Sequence, residues 1–494
     1  MAWWPETLGP VVKQGDVPRG PQQMLDDDER PVGCIHRGES RGMKRAWLHR
    51  GGVTMLLIGA SVSLLLFSRG ALPTQALDKS KMPNVLFILT DDLRWDALGC
   101  YGNEVVRTPN LDRLARESAR LDAFYVAAPL CTPSRAAFLS GLYPHQSGIL
   151  DILGKSDFEA GTPTIATHLN EAGYVTGFVG KAHMGGDPRR WGFKEVPVWL
   201  RHGSSPHRDP TLMVNGVERR VPGHITQIFT DAAIRFLETH REDRWFLWLA
   251  TTAPHSPYYH DPTLRYEAAI IKPPPGWPKG EPFNAAAWTG YYATITMLDE
   301  QIRRVLQRLD ELGLAPNTFV FVTTDNGAMF GSHGLHGKQV WFEESVRAPA
   351  LARWPGRIPS GTTIASPISS VDLLPTVLDL VGREKPTRLE GVSMLPALTG
   401  GKPLRTAAYA EANRKAEDGG GFWRMVRADR WKYINLEYVT SRNRGERLYD
   451  PAGDPSELND RAKSDEHAEV LQVMRRQLDK WLEMTSRPTV DRAR

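Results

Sequence analysis

Residues 84–92, "NVLFILTDD", decide how this chain is read: an unbroken apolar run of strand length that ends in two acidic residues. A strand apolar on both faces belongs inside a parallel sheet covered on both sides. The acidic pair then falls outside the carboxyl end of the strand, where open parallel sheets bind their ligands. "GYVTGFVG" (173–180), "RWFLWLATTA" (244–253) and "NTFVFVTTDNG" (317–327) repeat the pattern. Between them, "TPNLDRLARESARL" (108–121) predicts a helix with Thr108 as N-cap, Pro109 at N1 and Leu111, Leu114, Ala115 and Leu121 on one stripe. "YYATITMLDEQIRRVLQRLDELG" (291–313) predicts another, stopped by Gly313. Strands alternating with helices predict an α/β fold: a large, mainly parallel central sheet flanked by helices on both faces.

Composition and charge set the frame. The 494 residues are 41% hydrophobic with 15 Trp, enough for a large domain and a smaller one. Net charge is +4, and residues 1–76, with nine Lys/Arg against seven Asp/Glu, contribute half of it. Such a balance gives no reason to expect nucleic acid. Residues 1–42 are Pro-, Gly- and charge-rich, a non-core extension upstream of a second candidate start, Met43. From Met43 to Ala76, a basic segment (Lys44, Arg45, Arg50), an apolar run (53–67) and "ALPTQA" have the layout of a secretory signal. The run is shorter than the ~20 residues that span a bilayer, which favours export to a periplasmic or extracellular location. Membrane contact is expected only if the segment is retained as an anchor. The main α/β domain is expected over 83–394 and a smaller α+β subdomain over 395–494. In that subdomain "FWRMVRADRWKYINLE" and "GERLYD" predict an antiparallel sheet, and "SDEHAEVLQVMRRQLDKWLEM" a closing helix capped by Ser464.

The strand exits carry the chemistry. They supply Asp91 and Asp92, Asp325 and Asn326, Lys181 and His183 of "GKAH", and His255 of "APHSP". The first four offer only oxygen donors, which suits Ca2+ ahead of Mg2+ and disfavours zinc. Clustered carboxylates there call for a cation. "PLCTPSRAAFLSG" (129–141) puts Cys131 at a helix N-terminus, where the helix dipole and Arg135 are expected to lower its pKa and favour an anion. An inert buried cysteine and a thiolate nucleophile are both open readings of Cys131. Cys100 and Cys131, the two cysteines beyond the signal segment, could pair, but no disulfide framework is evident.

"CTPSRAAFLSG" resembles the sulfatase signature C-x-P-S-R followed by a small hydroxyl residue and Gly. The likeness continues through "PNVLFILTDDLRWDALGCYG", "TPNLDRLA", "GKAHMG", "APHSP", "TTDNGAMFGSHGLHGKQVWFEESVRAP" and "LYDPAGDPSELND". It thus covers nearly everything from residue 83 and is to the formylglycine-dependent sulfatases of the alkaline phosphatase-like superfamily. The resemblance implies that a maturation enzyme oxidises Cys131 to formylglycine, and that Asp91, Asp92, Asp325, Asn326 and the modified Cys131 bind Ca2+. It implies that Arg135 and His183 orient the formylglycine hydrate. Lys181, His255 and Lys338 would contact the sulfate ester, with His255 or Lys338 protonating the leaving oxygen and Asp325 helping to deprotonate the attacking hydroxyl. The implied substrate is a sulfate ester, in particular of a sulfated carbohydrate. Ser140, where the signature often has Thr, and Ala182, in place of an aromatic residue, are small departures. His333 is open to a substrate contact or a structural role. "RHGSSPHRDP" (201–210), with Arg201, His202, His207 and Arg208, is either a loop recognising acidic sugars or a plain solvated loop. Alternative functions are a phosphodiesterase or phosphonate monoester hydrolase of the same superfamily, and a silent glycan-binding protein in which Cys131 stays unconverted.

Overall fold

The strand Asn84–Asp91 is buried at every position, and its alternating side chains feed two separate cores. Val85, Phe87 and Leu89 enter one with Phe138, whose ring centroid lies 5.5 Å from that of Phe87. Leu86 and Ile88 enter the other with Phe229 and Leu298. This two-sided burial is the physical reason for the unbroken apolar run. The computed structural model describes residues 82–258, 263–274, 276–387, 389–413, 421–437 and 445–486. The N-terminal extension and the signal segment fall outside the described residues. Among the described residues, no helix is long and apolar enough to cross a membrane.

Asn84–Asp91 lies inside a ten-stranded sheet, parallel to Trp245–Pro254 on one side and Thr318–Thr324 on the other. Val175–Lys181 continues the parallel set beyond Trp245–Pro254, followed by Val198–Leu200. The rims are mixed: Ala350–Arg353 runs antiparallel to Thr318–Thr324, and a hairpin of Thr211–Val214 and Val217–Arg220 closes the other edge. Helices cover both faces. Cys131–Ser140 packs on the Phe87 side, while Ile225–Thr239 and Ala285–Glu311 pack on the Leu86 side.

Two sequence expectations need correction here. The helix after Thr108 ends at Arg116, and Leu121 belongs to a strand, Ala119–Leu121. Residues 119–121 pair with Ala350–Arg353 and Thr362–Ile364, so sheet hydrogen bonds outweigh the local helical period. Thr108 sits at the N-cap but does not cap: its hydroxyl donates to Asp112 and accepts from Gly99 N–H, while buried Asp299 accepts from the first helical N–H groups.

The C-terminal sheet is a four-stranded antiparallel meander of Ala407–Asn413, Phe422–Ala428, Trp431–Glu437 and Gly445–Tyr449. Its first strand, "AAYAEAN", was not apparent in the sequence. The closing helix Ala468–Thr485 buries Met474, Leu478 and Trp481 in a core that also contains Val426 and Tyr433. Ser464 precedes a short 3-10 turn rather than this helix, and its side chain does not cap.

A buried charge cluster fastens this sheet to the main domain. Lys432 Nζ lies 2.9 Å from Glu343 Oε1 and 2.7 Å from Glu457 Oε1, all three side chains being inaccessible. Burial disfavours each charge; pairing outweighs it at Lys432 and Glu343, whereas burial keeps the Glu457 carboxyl up at about 8. Lys432→Met, which leaves the two carboxyls facing one another, is expected to destabilise the protein by about 3–5 kcal/mol, read as a lower denaturant midpoint with unchanged slope.

Candidate active site

The ends of three parallel strands and the N-terminus of the Cys131–Ser140 helix meet at one place. Asp91 shares its strand face with Phe87 and Leu89, which aims its carboxylate toward the helix. Cys131 Sγ lies 3.7 Å from Asp91 Oδ1 and 2.9 Å from Lys338 Nζ, and Lys181 Nζ is 3.8 Å away. Lys181 donates to Asp91 and Lys338 to Asp92. Arg135 grips Asp325 Oδ2 through two nitrogens at 2.9 and 2.7 Å, and donates to the Lys181 carbonyl at 2.7 Å. His255 Nε2 stands 3.7 Å from Asp92 Oδ2. The structure therefore brings all ten sequence-derived candidates into one region, with His183 joined through its backbone.

Local geometry is forced to achieve this. Gly180, at φ 115°, lets the strand turn just before Lys181; a Cβ there would meet the Ala250 carbonyl at 1.8 Å. Asp92 and His183 hold φ values of 62° and 46°, a region that costs a non-glycine residue about 1–3 kcal/mol. Tyr291 Oη donates to the Asp92 carbonyl at 2.9 Å and itself accepts from Arg94 N–H. Thr132 Oγ1 donates to the His183 carbonyl at 2.6 Å, and Ser134 Oγ to the Asp325 carbonyl at 2.5 Å. These supports were missed in the sequence, where Thr132 and Ser134 read only as helix-start residues. Their spacing of two around Pro133 was the available signal.

The carboxylates Asp91, Asp92 and Asp325 face three cations, Arg135, Lys181 and Lys338. Burial and Asp325 push Asp91 up, despite Lys181. Burial opposes charge on Asp325, but Arg135, Lys338 and Lys181 outweigh it and hold the carboxyl well below the usual range. This corrects the expectation that Asp325 acts as a base: a carboxylate gripped by a guanidinium has little affinity for a proton. Burial also drives the Cys131 thiol up to about 12, outweighing Lys181 and Lys338. The helix N-terminus and Arg135 do not make it a thiolate, contrary to expectation, because the sulfur is only 2% exposed with its residue. Burial beside Lys181, Arg135 and Lys338 takes His183 down to about 2, so its imidazole is neutral. Cys100 and Cys131 are both free thiols.

The donor set suits a hard cation. Asn326 Nδ2 donates to Asp92 Oδ1 at 2.5 Å and to the Gly327 carbonyl at 2.8 Å, which leaves the buried Asn326 Oδ1 with no hydrogen-bond partner. An orphaned amide oxygen among three carboxylates is an arrangement a hard, oxygen-seeking cation satisfies. Asp91, Cys131 and Asp325 offer ligand atoms within 4.8 Å of one another, as do Asp91, Asp92 and His255.

The remaining motifs divide. In the 201–210 loop, Gly203 lies against His183: a Cβ there would be 2.4 Å from Nε2. His207 is buried, whereas Arg201, His202 and Arg208 are exposed. His333 faces Glu344, not Cys131, with 3.8 Å between Nε2 and Oε1.

Comparison with known proteins agrees with this geometry. The model of the Sulfatase family matches residues 83–383, and that described as N-sulphoglucosamine sulphohydrolase, C-terminal, matches residues 331–484. The chain belongs to the sulfatase family of sulfuric ester hydrolases, within the alkaline phosphatase-like superfamily. N-acetylgalactosamine-6-sulfatase of Homo sapiens is 33% identical over 65% of this chain and 66% of its own length, so the chain spans just under two thirds of that relative. N-acetylglucosamine-6-O-sulfatase of Bacteroides thetaiotaomicron is 28% identical, the match covering 80% of this chain and 86% of the relative. Among solved structures, BT4656 in complex with its substrate D-glucosamine-2-N,6-O-disulfate superposes with a TM-score of 0.74 at 26% identity, covering 84% of this chain and all of that one.

The buried thiol gives a direct check. In EDTA-treated protein carrying unconverted Cys131, iodoacetamide at pH 8 is expected to label this residue at least about 100-fold more slowly than free cysteine. Labelling kinetics by peptide mass spectrometry measure this, and a rate equal to free cysteine would contradict the burial.

Proposed function

We propose that this protein hydrolyses a sulfate ester of a sulfated carbohydrate to the alcohol and inorganic sulfate, outside the cytoplasm, using formylglycine formed from Cys131 and a bound Ca2+. The observation that carries this reading is the position of Cys131, flanked by two lysines and next to an oxygen-rich cradle with an orphaned amide oxygen. Asp91, Asp92, Asp325 and Asn326 would hold the metal together with the modified residue 131. When present, the formylglycine hydrate supplies the nucleophilic hydroxyl and Ca2+ supplies positive charge beside the sulfate oxygens.

The chain's own residues take the remaining roles. Lys181 and Lys338 place ammonium groups where a tetrahedral anion would sit against residue 131. Lys338, buried yet paired with Asp92, binds its proton far more tightly than a free lysine. It therefore stabilises charge and is a poor acid. Proton delivery to the leaving oxygen falls to His255. Its Nδ1 donates to the Ser256 carbonyl at 2.5 Å, which directs Nε2 as the exchanging nitrogen, 3.7 Å from Asp92 Oδ2. His183, neutral and pressed by Gly203, offers a fixed hydrogen-bonding edge beside residue 131. Arg135 keeps Asp325 ionised and in place as a ligand. The names of the relatives point to a 6-sulfated N-acetylhexosamine as the first carbohydrate to assay.

The test is made on protein from its native host. Peptide mass spectrometry of residues 129–141 should find formylglycine at 131, and the same sample should release sulfate in a calcium-dependent way. Faster turnover of the matched phosphate ester would overturn the assignment, and an unconverted thiol without turnover would leave a glycan-binding protein. In the converted enzyme, His255→Ala is expected to lower kcat on a carbohydrate sulfate by about 10²–10⁴. It should cost far less on nitrophenyl sulfate, whose leaving oxygen needs no proton. Equal losses on both would remove His255 from the acid role.

A further inference from the structure

Two cavities meet at a pair of buried side chains that the proposed chemistry does not use. The larger, of about 670 Å3, is lined by Trp95, Asp96, Asn103, Trp288, Tyr292 and Glu344 among others. The second, of about 540 Å3, is lined by Trp277, Trp341 and His333. Neither includes any residue assigned to the Cys131 site. Glu344 and His333 stand between them, 3.8 Å apart, and the Gly276 backbone packs close against both: a Cβ there would lie 3.3 Å from His333 Nε2 and 3.6 Å from Glu344 Oε1.

Each side chain has one buried atom without a hydrogen-bond partner, the Glu344 carboxyl otherwise accepting from its own backbone N–H. The Glu344 side chain is 6% exposed and its Oε2 has no hydrogen-bond partner. Its nearest strong cation, Arg94, is committed to Asp96 at 2.7 Å and to the carbonyls of Ala328 and Met329. Burial pushes the Glu344 carboxyl up to about 7. His333 is clamped by stacking on Phe342, with ring centroids 3.7 Å apart, and by a hydrogen bond to the Ser456 backbone. Its Nε2 is buried and unpartnered, and burial keeps the ring neutral. With the other nitrogen bonded to the backbone, Nε2 presents a lone pair. Two acceptors thus confront one another across a gap that a single nitrogen can bridge at about 2.8 Å from each. Buried acceptors of this kind are costly unless a donor reaches them.

The surroundings narrow the donor. Glu104 and Asp96, the latter paired with Arg94, make three acids with Glu344 in the lining of the larger cavity, where Lys272 is the one lysine or arginine; Lys279 and Arg447 line the smaller cavity. Arg347, which stacks on Trp95 at 4.0 Å, is paired with Glu343. An acid-lined chamber repels a sulfate group and attracts a cation, and its indole and phenol rings offer flat surfaces for the apolar face of a pyranose. We propose that this chamber is a second, non-catalytic site for a hexosamine unit with a free amino group, its ammonium bridging Glu344 and His333 and its ring lying along the aromatic wall. The site goes beyond the hydrolytic reading and does not depend on it.

Binding is read without turnover, by titrating the full-length, calcium-loaded protein with glucosamine, N-acetylglucosamine, glucose and n-butylamine in a calorimeter or by saturation-transfer NMR. Glucosamine is expected to bind at least about tenfold tighter than the other three, the difference a charge-assisted hydrogen bond supplies. Glu344→Gln keeps the shape, removes the charge and should bring glucosamine down to the level of N-acetylglucosamine. Equal binding of all four ligands, no binding by the native protein, or glucosamine binding that survives Glu344→Gln would overturn the proposal. So would n-butylamine matching glucosamine, since that is an amine site without sugar recognition. If the variant does not fold, the comparison among the four ligands on the native protein decides. Aryl sulfate turnover, measured separately on Glu344→Gln, should stay within about twofold of the parent; its loss in the parent would count against the hydrolytic reading and leave the binding result standing.

Discussion

Three carboxylates, two of them fully buried and one half-buried, at the ends of two neighbouring parallel strands set the terms for everything around them. Asp91, Asp92 and Asp325 would repel one another strongly in a low-dielectric interior. The chain answers with Arg135, Lys181 and Lys338, drawn from a helix, a third strand and a loop. Each of those carriers must be fixed relative to the others. Ser134 and Thr132 therefore tie the helix to the Asp325 and His183 segments, and Gln339 N–H donates to the Pro129 carbonyl beside Cys131. The positive φ angles at Asp92 and His183 are the backbone cost of the same convergence.

The pairings also separate roles that the residue types leave blurred. Of the carboxylates, Asp325 is held by a two-nitrogen contact and stays ionised, whereas Asp91 lies against sulfur and is driven the other way by burial. Of the two candidate acids, Lys338 is locked to Asp92 while His255 faces the same carboxylate at 3.7 Å with a backbone carbonyl fixing its other nitrogen. A lysine and a histidine written in a motif look interchangeable as proton sources. Their partners decide between them.

Much of this was legible in the sequence because buried parallel strands are so restrictive. "NVLFILTDD" can hardly be placed anywhere but the middle of a covered sheet, and its acidic end then has one place to go. The pieces that were not legible depend on partners far away in the chain. Leu121 fits a helical stripe locally, yet is claimed by strands more than two hundred residues on. "AAYAEAN" has little strand propensity and is a strand because Phe422–Ala428 pairs with it along its whole length. The Cys131 thiol looked activated from its helix position alone, and the depth of its burial, which reverses that, is a property of the assembled cores. His333 matched a motif near the site but turned out to face Glu344.

The hold on Gln339 has a consequence for the order in which the molecule becomes complete. Its side chain donates to the Asn413 carbonyl and its own carbonyl accepts from Trp423 Nε1, so the segment carrying Lys338 is braced by the C-terminal sheet. Trp423 leaves the ribosome almost three hundred residues after Cys131. During synthesis the cysteine segment therefore emerges well before the chain that closes over it exists. The brace on the Lys338 segment, and with it the fixed position of the ammonium against residue 131, is completed only by the last strands of the chain.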